Sequence, residues 1–197
     1  MVFRNRAYTP ADDIRETPTD YFNRLDAERH YSIDACALPS NAKCPLFYAT
    51  DGLWQLVDGK LSRIAANVDG LTGPYTDQRV WCNPGFSVLE AWILKAWRSH
   101  EAELWDLLMP GTRADRPFWH RLVEPYRDGR GGYSEDPTWK LTTHYDPFRL
   151  DFLEDGHPVY QKNKDGTQKL FKTGPKKSLP KPSTAMFGCM RLEWRHV

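Results

Sequence analysis

The stretch from residue 81 to residue 87 reads Trp-Cys-Asn-Pro-Gly-Phe-Ser and holds the groups best suited to chemistry in this chain. The side-chain oxygen of Asn83 and the backbone carbonyl of Pro84 can each accept a hydrogen bond, and the Phe86 ring can stack on a flat ligand. These properties favour a binding or active site. The alternative interpretation is an ordinary turn between a strand and a helix, with Ser87 as the helix cap.

The segments on either side predict how this stretch is held. Residues 79–82 are strand-like, and Ser87-Val88-Leu89-Glu90 has the Ser-x-x-Glu spacing of a capping box. Apolar residues then recur at the spacing of one helical face, namely Leu89, Trp92, Ile93, Ala96 and Trp97. The stretch is therefore predicted to join a strand to an amphipathic helix.

Strand-like and helix-like segments alternate through residue 124. Further strands are predicted at 32–35, 46–49 and 104–109, and further helices from Thr19 and over 117–124. Short connections between alternating elements predict an α/β domain with a mainly parallel sheet. Ligands of such sheets bind beyond the carboxyl ends of the strands, where Asp34 and Asn83 both fall. We expect these two side chains to face one cleft.

The rest of the chain is less regular. Residues 50–77 fit either a helix or a strand, and residues 125–147 are typical of a long insertion or loop. The sequence then predicts a strand at 148–153, a hairpin around Asn163-Lys164-Asp165-Gly166, and a last strand over 186–194. The chain, residues 1–197, is expected to form a single domain, with 125–182 as an insertion and basic hairpin region.

Positive charge is concentrated in residues 160–182. The whole chain has a net charge of +1, so any nucleic-acid surface must be local. This segment carries a single acidic residue, Asp165, and seven lysines: Lys162, Lys164, Lys169, Lys172, Lys176, Lys177 and Lys181. Interleaved with Tyr160 and Phe171, these lysines are predicted to bind phosphates. The alternative is a solvated edge hairpin that its lysines protect from aggregation.

Composition argues against several other classes of protein. No run of 18 apolar residues occurs and residues 1–12 lack an apolar signal core, so neither a transmembrane helix nor a secretory signal is expected. The four cysteines form no Cys-x-x-Cys pair and the six histidines show no ligand spacing, so no metal site is predicted. Reduced thiols in an intracellular protein are the expectation.

Together these segments resemble the phage-encoded Dam-type DNA N6-adenine methyltransferases, from about Thr17 to Trp194. The stretch that contains Asn83 is similar to the Asn/Asp-Pro-Pro-Tyr/Phe catalytic loop of that family. Residues 33–37 with 41–44 resemble its first-strand signature, and Glu16-Thr17-Pro18 resembles a Thr-Pro motif that touches the cofactor in related enzymes. Residues 107–110, 149–152 and 187–190 match later elements more weakly.

The resemblance implies a Rossmann-like class I methyltransferase sheet with helices on both faces, followed by a hairpin-rich basic extension. It implies transfer of a methyl group from S-adenosylmethionine to the N6 amine of adenine in DNA. The setting would be the cytoplasm of a bacterial host, where methylation masks phage DNA from restriction enzymes. Transfer to cytosine N4 is a close variant. The target sequence, the choice among duplex DNA, single strands and RNA, and the oligomeric state stay open.

The resemblance also implies residue roles. Asn83 and Pro84 would accept hydrogen bonds from the target amine, and Phe86 would stack on a base flipped out of the duplex. The predicted contacts to the cofactor are Thr17, Pro18, Asp34, Cys36 and Asp69. Two Asp-Gly-Leu triplets occur, and Asp51 in the first is the rival of Asp69 in the second.

Gly85 departs from the family pattern, since it stands where the second loop proline is expected. Glycine loosens the loop and raises the entropy lost when the loop becomes ordered. Two alternative functions follow: a degenerate methyltransferase fold that only binds DNA, or a base-modifying enzyme of altered chemistry. Two site residues also have plainer interpretations, Asp34 as the cap of a turn and Thr17 as part of a helix start.

Overall fold

The computed structural model describes residues 16–147, 149–182 and 188–197. These residues form three α-helices, ten strands and a short 3₁₀ helix at Gly111–Asp115. The helices are α1 (Thr19–Arg29), α2 (Leu89–Arg98) and α3 (Pro117–Leu122). The strands are β1 (Ile33–Asp34), β2 (Leu46–Ala49), β3 (Gly52–Val57), β4 (Lys60–Ala66), β5 (Arg79–Cys82), β6 (Leu104–Pro110), β7 (Trp139–Tyr145), β8 (Leu153–Glu154), β9 (His157–Pro158) and β10 (Cys189–His196).

Eight of the strands form one sheet in the order β4-β3-β2-β1-β5-β6-β10-β7. Its centre, β2-β1-β5-β6, is parallel throughout. Antiparallel strands flank that centre: β3 and β4 form a hairpin beside β2, and β10 lies between β6 and β7. The predicted α/β class with a parallel central sheet is confirmed.

Helices cover both faces of the sheet. The apolar side chains of α1 pack on one face against Trp81, whereas α2 and α3 pack on the other face against Val80 and Cys82. Side chains of a strand point alternately to its two faces, which is why consecutive residues of β5 reach different helices. The chain therefore leaves β5 and enters the Asn83 stretch from a strand that is packed on both faces.

Two stretches that looked irregular in the sequence are strands. Residues 50–77 contain the β3–β4 hairpin, whose turn residues Asp58 and Gly59 have positive φ angles of 50° and 75°. An Asp-Gly pair with this geometry is typical of two-residue hairpins. The expectation of a loop throughout 125–147 is wrong, because residues 139–145 form β7 through pairing with β10. That pairing joins segments far apart in the chain, so no local pattern indicates it.

The helix starts differ from the predicted caps by one residue. The residue types favour Thr19 as the cap of α1 and Ser87 as the cap of α2. In the structure Pro18 and Val88 occupy these positions. The predicted capping box is therefore wrong in this detail. A turn in which the Val88 N–H donates to the Gly85 carbonyl (3.2 Å) closes first, and the helix begins only after it.

The last third of the chain is held by short elements. The predicted strand at 148–153 is reduced to β8, which pairs with β9 across a turn at Asp155 and Gly156. Phe148 lies outside the described residues. The hairpin turn is present, with the Asn163 N–H donating to the Thr167 carbonyl (2.8 Å). Residues 160–182, called the basic segment below, are joined by isolated bridges. The last strand is β10, and residues 186 and 187 of its predicted start also lie outside the described residues.

Candidate active site at the ends of β1 and β5

Strands β1 and β5 lie side by side where the strand order of the sheet reverses. The chain passes from β1 to β2 on one side, whereas β5 and β6 continue on the other. In open parallel sheets, ligands bind outside the carboxyl ends of the strands at such a point. Asp34 is the last residue of β1 and Asn83 directly follows β5, so both residues flank this crevice.

A small cleft of about 180 Å³ occupies the crevice. Four residues that the sequence predicted for the site lie in its walls: Thr17, Asp34, Cys36 and Asn83. Pockets that enclose a whole drug-sized ligand usually measure roughly 300–1,000 Å³. The small cleft therefore has room for one end of such a ligand.

The Asp34 carboxylate is buried and holds the loop that follows β1. One oxygen accepts a hydrogen bond from the Cys36 N–H (3.2 Å) and the other from the Lys43 N–H (3.0 Å). Burial raises the pKa of Asp34 to about 6, although these two backbone donors and the Lys43 charge act in the opposite direction. Each carboxylate oxygen has about two acceptor positions. Asp34 can therefore cap this loop and still accept a hydrogen bond from a ligand.

The Thr17 hydroxyl has no hydrogen-bond partner within the described part of the chain. Thr17 is only 2% exposed and lies in the wall of the small cleft. Leaving a buried hydroxyl unpaired costs about 1–3 kcal/mol. A ligand group that accepts a hydrogen bond at this point would offset that cost, which favours a binding role for Thr17.

The three predicted catalytic groups lie at different depths. Asn83 and Phe86 are half-buried, whereas Pro84 is buried. The Phe86 ring packs edge-to-face against Phe152, with 6.2 Å between the ring centroids. This contact fixes Phe86 beside residues 149–153, and Phe86 is not among the described residues that line the small cleft.

Two predicted cofactor contacts lie outside the small cleft. Pro18 faces a second, larger cleft. Asp69 caps a turn, accepting hydrogen bonds from backbone N–H groups two and three residues later (3.1 and 2.9 Å). Its rival Asp51 accepts a hydrogen bond from Arg63 (3.1 Å), while the neighbouring Thr50 lines the small cleft. Neither aspartate is among the described residues that line either cleft.

The large cleft, of about 670 Å³, lies between α1, residues 149–153 and the basic segment. Residues 16–18 separate the two clefts, since Glu16 and Thr17 face the small one and Pro18 faces the large one. Two backbone hydrogen bonds between Glu16 and Leu153 (2.9 and 3.0 Å) hold this dividing wall. The Asn83 site and the basic segment are therefore neighbours in the fold.

The six lysines predicted to bind nucleic acid are all solvent-exposed: Lys162, Lys164, Lys169, Lys172, Lys176 and Lys177. Lys176 also lines the large cleft. Two further cations in that cleft, Arg24 and Arg149, are absent from the sequence prediction. They come from α1 and from the 149–153 segment, which meet only in the fold, so their spacing gives no signal.

An ionic network beneath α1 is also absent from the sequence prediction. The fully buried Asp106 of β6 accepts hydrogen bonds from the Tyr31 hydroxyl (2.7 Å) and from Arg191 of β10. Glu193, which lies directly opposite Asp106, accepts a hydrogen bond from Arg29 at the end of α1 (2.9 Å). These arginines neutralise two buried acids and tie α1 to the sheet.

Comparison with known proteins gives no match: no protein-family model, no curated protein and no solved structure matches this chain. Among the described helices, none is long and apolar enough to cross a membrane. Within the same residues, no three His, Cys, Asp or Glu side chains form a group that could hold a metal ion.

Proposed function

We propose that this protein is an S-adenosylmethionine-dependent DNA methyltransferase that acts on the N6 amine of adenine and protects phage DNA from restriction. One observation carries the proposal. Thr17, Asp34 and Asn83 belong to three separate sequence motifs, and they line one cleft at the reversal point of the sheet. The parallel strands β1 and β5 bring Asp34 and Asn83 to one edge of the sheet. The Thr17 hydroxyl, which has no hydrogen-bond partner within the described residues, lies in the same wall and favours a ligand there.

The sheet supports a Rossmann-like class I methyltransferase as the finer fold assignment. Its parallel centre β2-β1-β5-β6 has helices on both faces, as the resemblance implies. The reversal point between β1 and β5 is where a nucleotide-like cofactor binds in such sheets.

The small cleft suits the amino-acid end of S-adenosylmethionine, which carries an ammonium and a carboxylate. Asp34 would accept a hydrogen bond from the ammonium, and the unpaired Thr17 hydroxyl would donate one to the carboxylate. Cys36 would contribute to the wall beside them. The cofactor supplies a methyl group bonded to a positively charged sulfur.

Asn83 and Pro84 would prepare the accepting amine. The adenine amine is a poor nucleophile because its lone pair is delocalised into the ring. Hydrogen bonds from its two N–H groups to the Asn83 side-chain oxygen and the Pro84 carbonyl would orient the amine towards the methyl group. The nitrogen would gain the methyl group as the bond between that methyl and the sulfur breaks. The sulfur would keep the bonding pair and become a neutral thioether, and the amine would lose one proton to solvent. Phe86, held by Phe152, would pack against the flipped-out base.

Mass analysis of nucleosides tests this function. DNA is incubated with the purified protein and S-adenosylmethionine, digested, and examined for N6-methyladenine. The wild type is expected to form it, and Asn83→Ala to form at least about 100-fold less, as when one preorganised catalytic hydrogen bond is lost. Asn23→Ala is the matched control, because Asn23 is exposed on α1, and it should behave as the wild type.

The other outcomes identify the other functions. A folded wild type that binds DNA but forms no modified base would indicate the non-catalytic binding protein. A base adduct heavier than methyl, or no affinity for S-adenosylmethionine, would indicate altered chemistry. Methyl on the cytosine N4 amine would keep the mechanism and change the target.

A further inference from the structure

The large cleft has walls of two chemical kinds. Tyr160 and Phe171 contribute half-buried aromatic rings from the basic segment. Arg24, Arg149 and Lys176 contribute exposed cations from three different parts of the chain. Aromatic rings beside flexible cations are typical of sites for unpaired nucleotides, because bases stack on the rings and phosphates pair with the cations.

The size and the position of the large cleft fit the same ligand. Its volume of about 670 Å³ lies within the roughly 300–1,000 Å³ of pockets that enclose small molecules of nucleotide size. It shares the wall formed by Glu16 and Leu153 with the small cleft. A strand in the large cleft would therefore run beside the base that occupies the Asn83 site.

The mixed charge of the cleft argues against an intact duplex. Asp20 and Asp151 also line it, so that its five charged side chains sum to only +1. A duplex offers dense phosphate charge but keeps its bases stacked and paired, and it would leave the aromatic walls unused. A single strand offers both a base face and a phosphate, which are the two groups that these walls match.

We propose that the large cleft binds an unpaired stretch of the nucleic-acid strand that carries the target base. This inference rests on the proposed function and names its substrate class, which is a single strand. Stacking on Tyr160 and Phe171 holds the bases that flank the target, while Lys176 neutralises a flanking phosphate.

Fluorescence anisotropy tests the inference with a labelled adenine-containing single strand and the same sequence as a duplex, over a range of salt concentrations. The single strand is expected to bind about tenfold more tightly than the duplex.

Phe171→Leu should weaken single-strand binding about tenfold. The salt slope, which is the change of log affinity with log salt concentration, should stay the same, since stacking releases no counterions. Lys176→Ala should reduce the slope by about 0.7. Lys60→Ala, on the exposed edge strand β4, is the matched control and should bind as the wild type.

Two results would overturn the inference: a duplex that binds as tightly as the single strand, or a folded Phe171→Leu protein that binds the single strand like the wild type. Lys176 is exposed, so the Lys176→Ala variant keeps the proposal testable if Phe171→Leu fails to fold.

Titration with S-adenosylmethionine separates the two proposals. Cofactor binding without strand binding rejects the cleft inference alone, and strand binding without cofactor binding rejects the proposed function alone.

Discussion

The small cleft and the basic segment are built in opposite ways. The small cleft stands at the ends of β1 and β5, where Ile33, Val80, Trp81 and Cys82 are each at most 1% exposed. The basic segment is held by turns and isolated bridges, and its six predicted nucleic-acid-binding lysines are exposed. Methyl transfer needs atoms held in a fixed geometry, which packed strands provide. Contacts to phosphates depend mainly on charge, which an exposed segment can supply.

A matched pair of leucine deletions would show this contrast in stability. Leu108 of β6 is fully buried, whereas Leu179 of the basic segment is 55% exposed. Leu108→Ala is expected to lower the free energy of unfolding by about 2–5 kcal/mol, because it leaves a cavity in the core. Leu179→Ala should change it by less than about 0.5 kcal/mol. Urea unfolding followed by circular dichroism measures both. Equal losses for the two variants would contradict the contrast.

The pH dependence of cofactor binding would show whether Asp34 acts as a charged ligand. Burial raises the pKa of Asp34 to about 6, and the cofactor ammonium needs the ionised carboxylate. Affinity for S-adenosylmethionine should therefore be full above pH 7 and fall towards tenfold per pH unit below about 6. Isothermal titration across this range measures it. Asp34→Asn should bind weakly and lose the dependence, whereas an unchanged profile in Asp34→Asn would assign Asp34 to the loop alone.

Neutralising lysines should weaken strand binding and leave the affinity for S-adenosylmethionine unchanged. Lys162 and Lys164 are exposed and lie in the basic segment, away from the packed sheet. The double change Lys162→Ala with Lys164→Ala should reduce the salt slope of single-strand binding by about 1.4, because each lost phosphate contact removes about 0.7. Affinity for S-adenosylmethionine should stay the same. A fall in cofactor affinity would show that the two regions are not independent.

The smallest expected effect comes from replacing Gly85 by the proline that the methyltransferases resembled by this sequence carry at that position. Gly85 is not among the described residues with positive φ. A proline at this position keeps the backbone carbonyl that accepts the hydrogen bond from the Val88 N–H. Gly85→Pro should raise the free energy of unfolding by about 0.4–1 kcal/mol by restricting the unfolded chain. Turnover should be equal or higher, measured as N6-methyladenine formed per enzyme. A folded variant without turnover would show that the loop needs the glycine.

Much of the fold that positions the site could be predicted from the sequence. Strands β1, β2, β5 and β6 and helices α2 and α3 follow from apolar patterns that are local in the chain. The meeting of Asp34 and Asn83 follows in turn, because parallel strands bring their carboxyl ends to one edge. The pair Asp58-Gly59 is a turn signal in the sequence that also indicates the β3–β4 hairpin.

The remaining features depend on contacts between distant segments. β7 exists because residues 139–145 pair with β10, and the large cleft exists because Arg149, Phe171 and residues of α1 line one space. Neither contact leaves a periodic pattern in the sequence. The unpaired Thr17 hydroxyl is likewise visible only in the fold, since its significance lies in being buried without a partner. Residue types and local spacing in the sequence therefore predicted the small cleft. The large cleft follows only from contacts between segments that are distant in the chain.

Calorimetric titration of the purified protein with S-adenosylmethionine tests most directly whether the amino-acid end of this cofactor binds in the small cleft beside Asn83. We predict saturable binding at one site per chain. Thr17→Val should weaken it about tenfold, because it removes the hydroxyl and keeps the side-chain shape. Thr76→Val is the matched control, since Thr76 is exposed and lines neither cleft. A folded wild type without heat of binding, or a Thr17→Val variant that binds as tightly as the wild type, would contradict the claim.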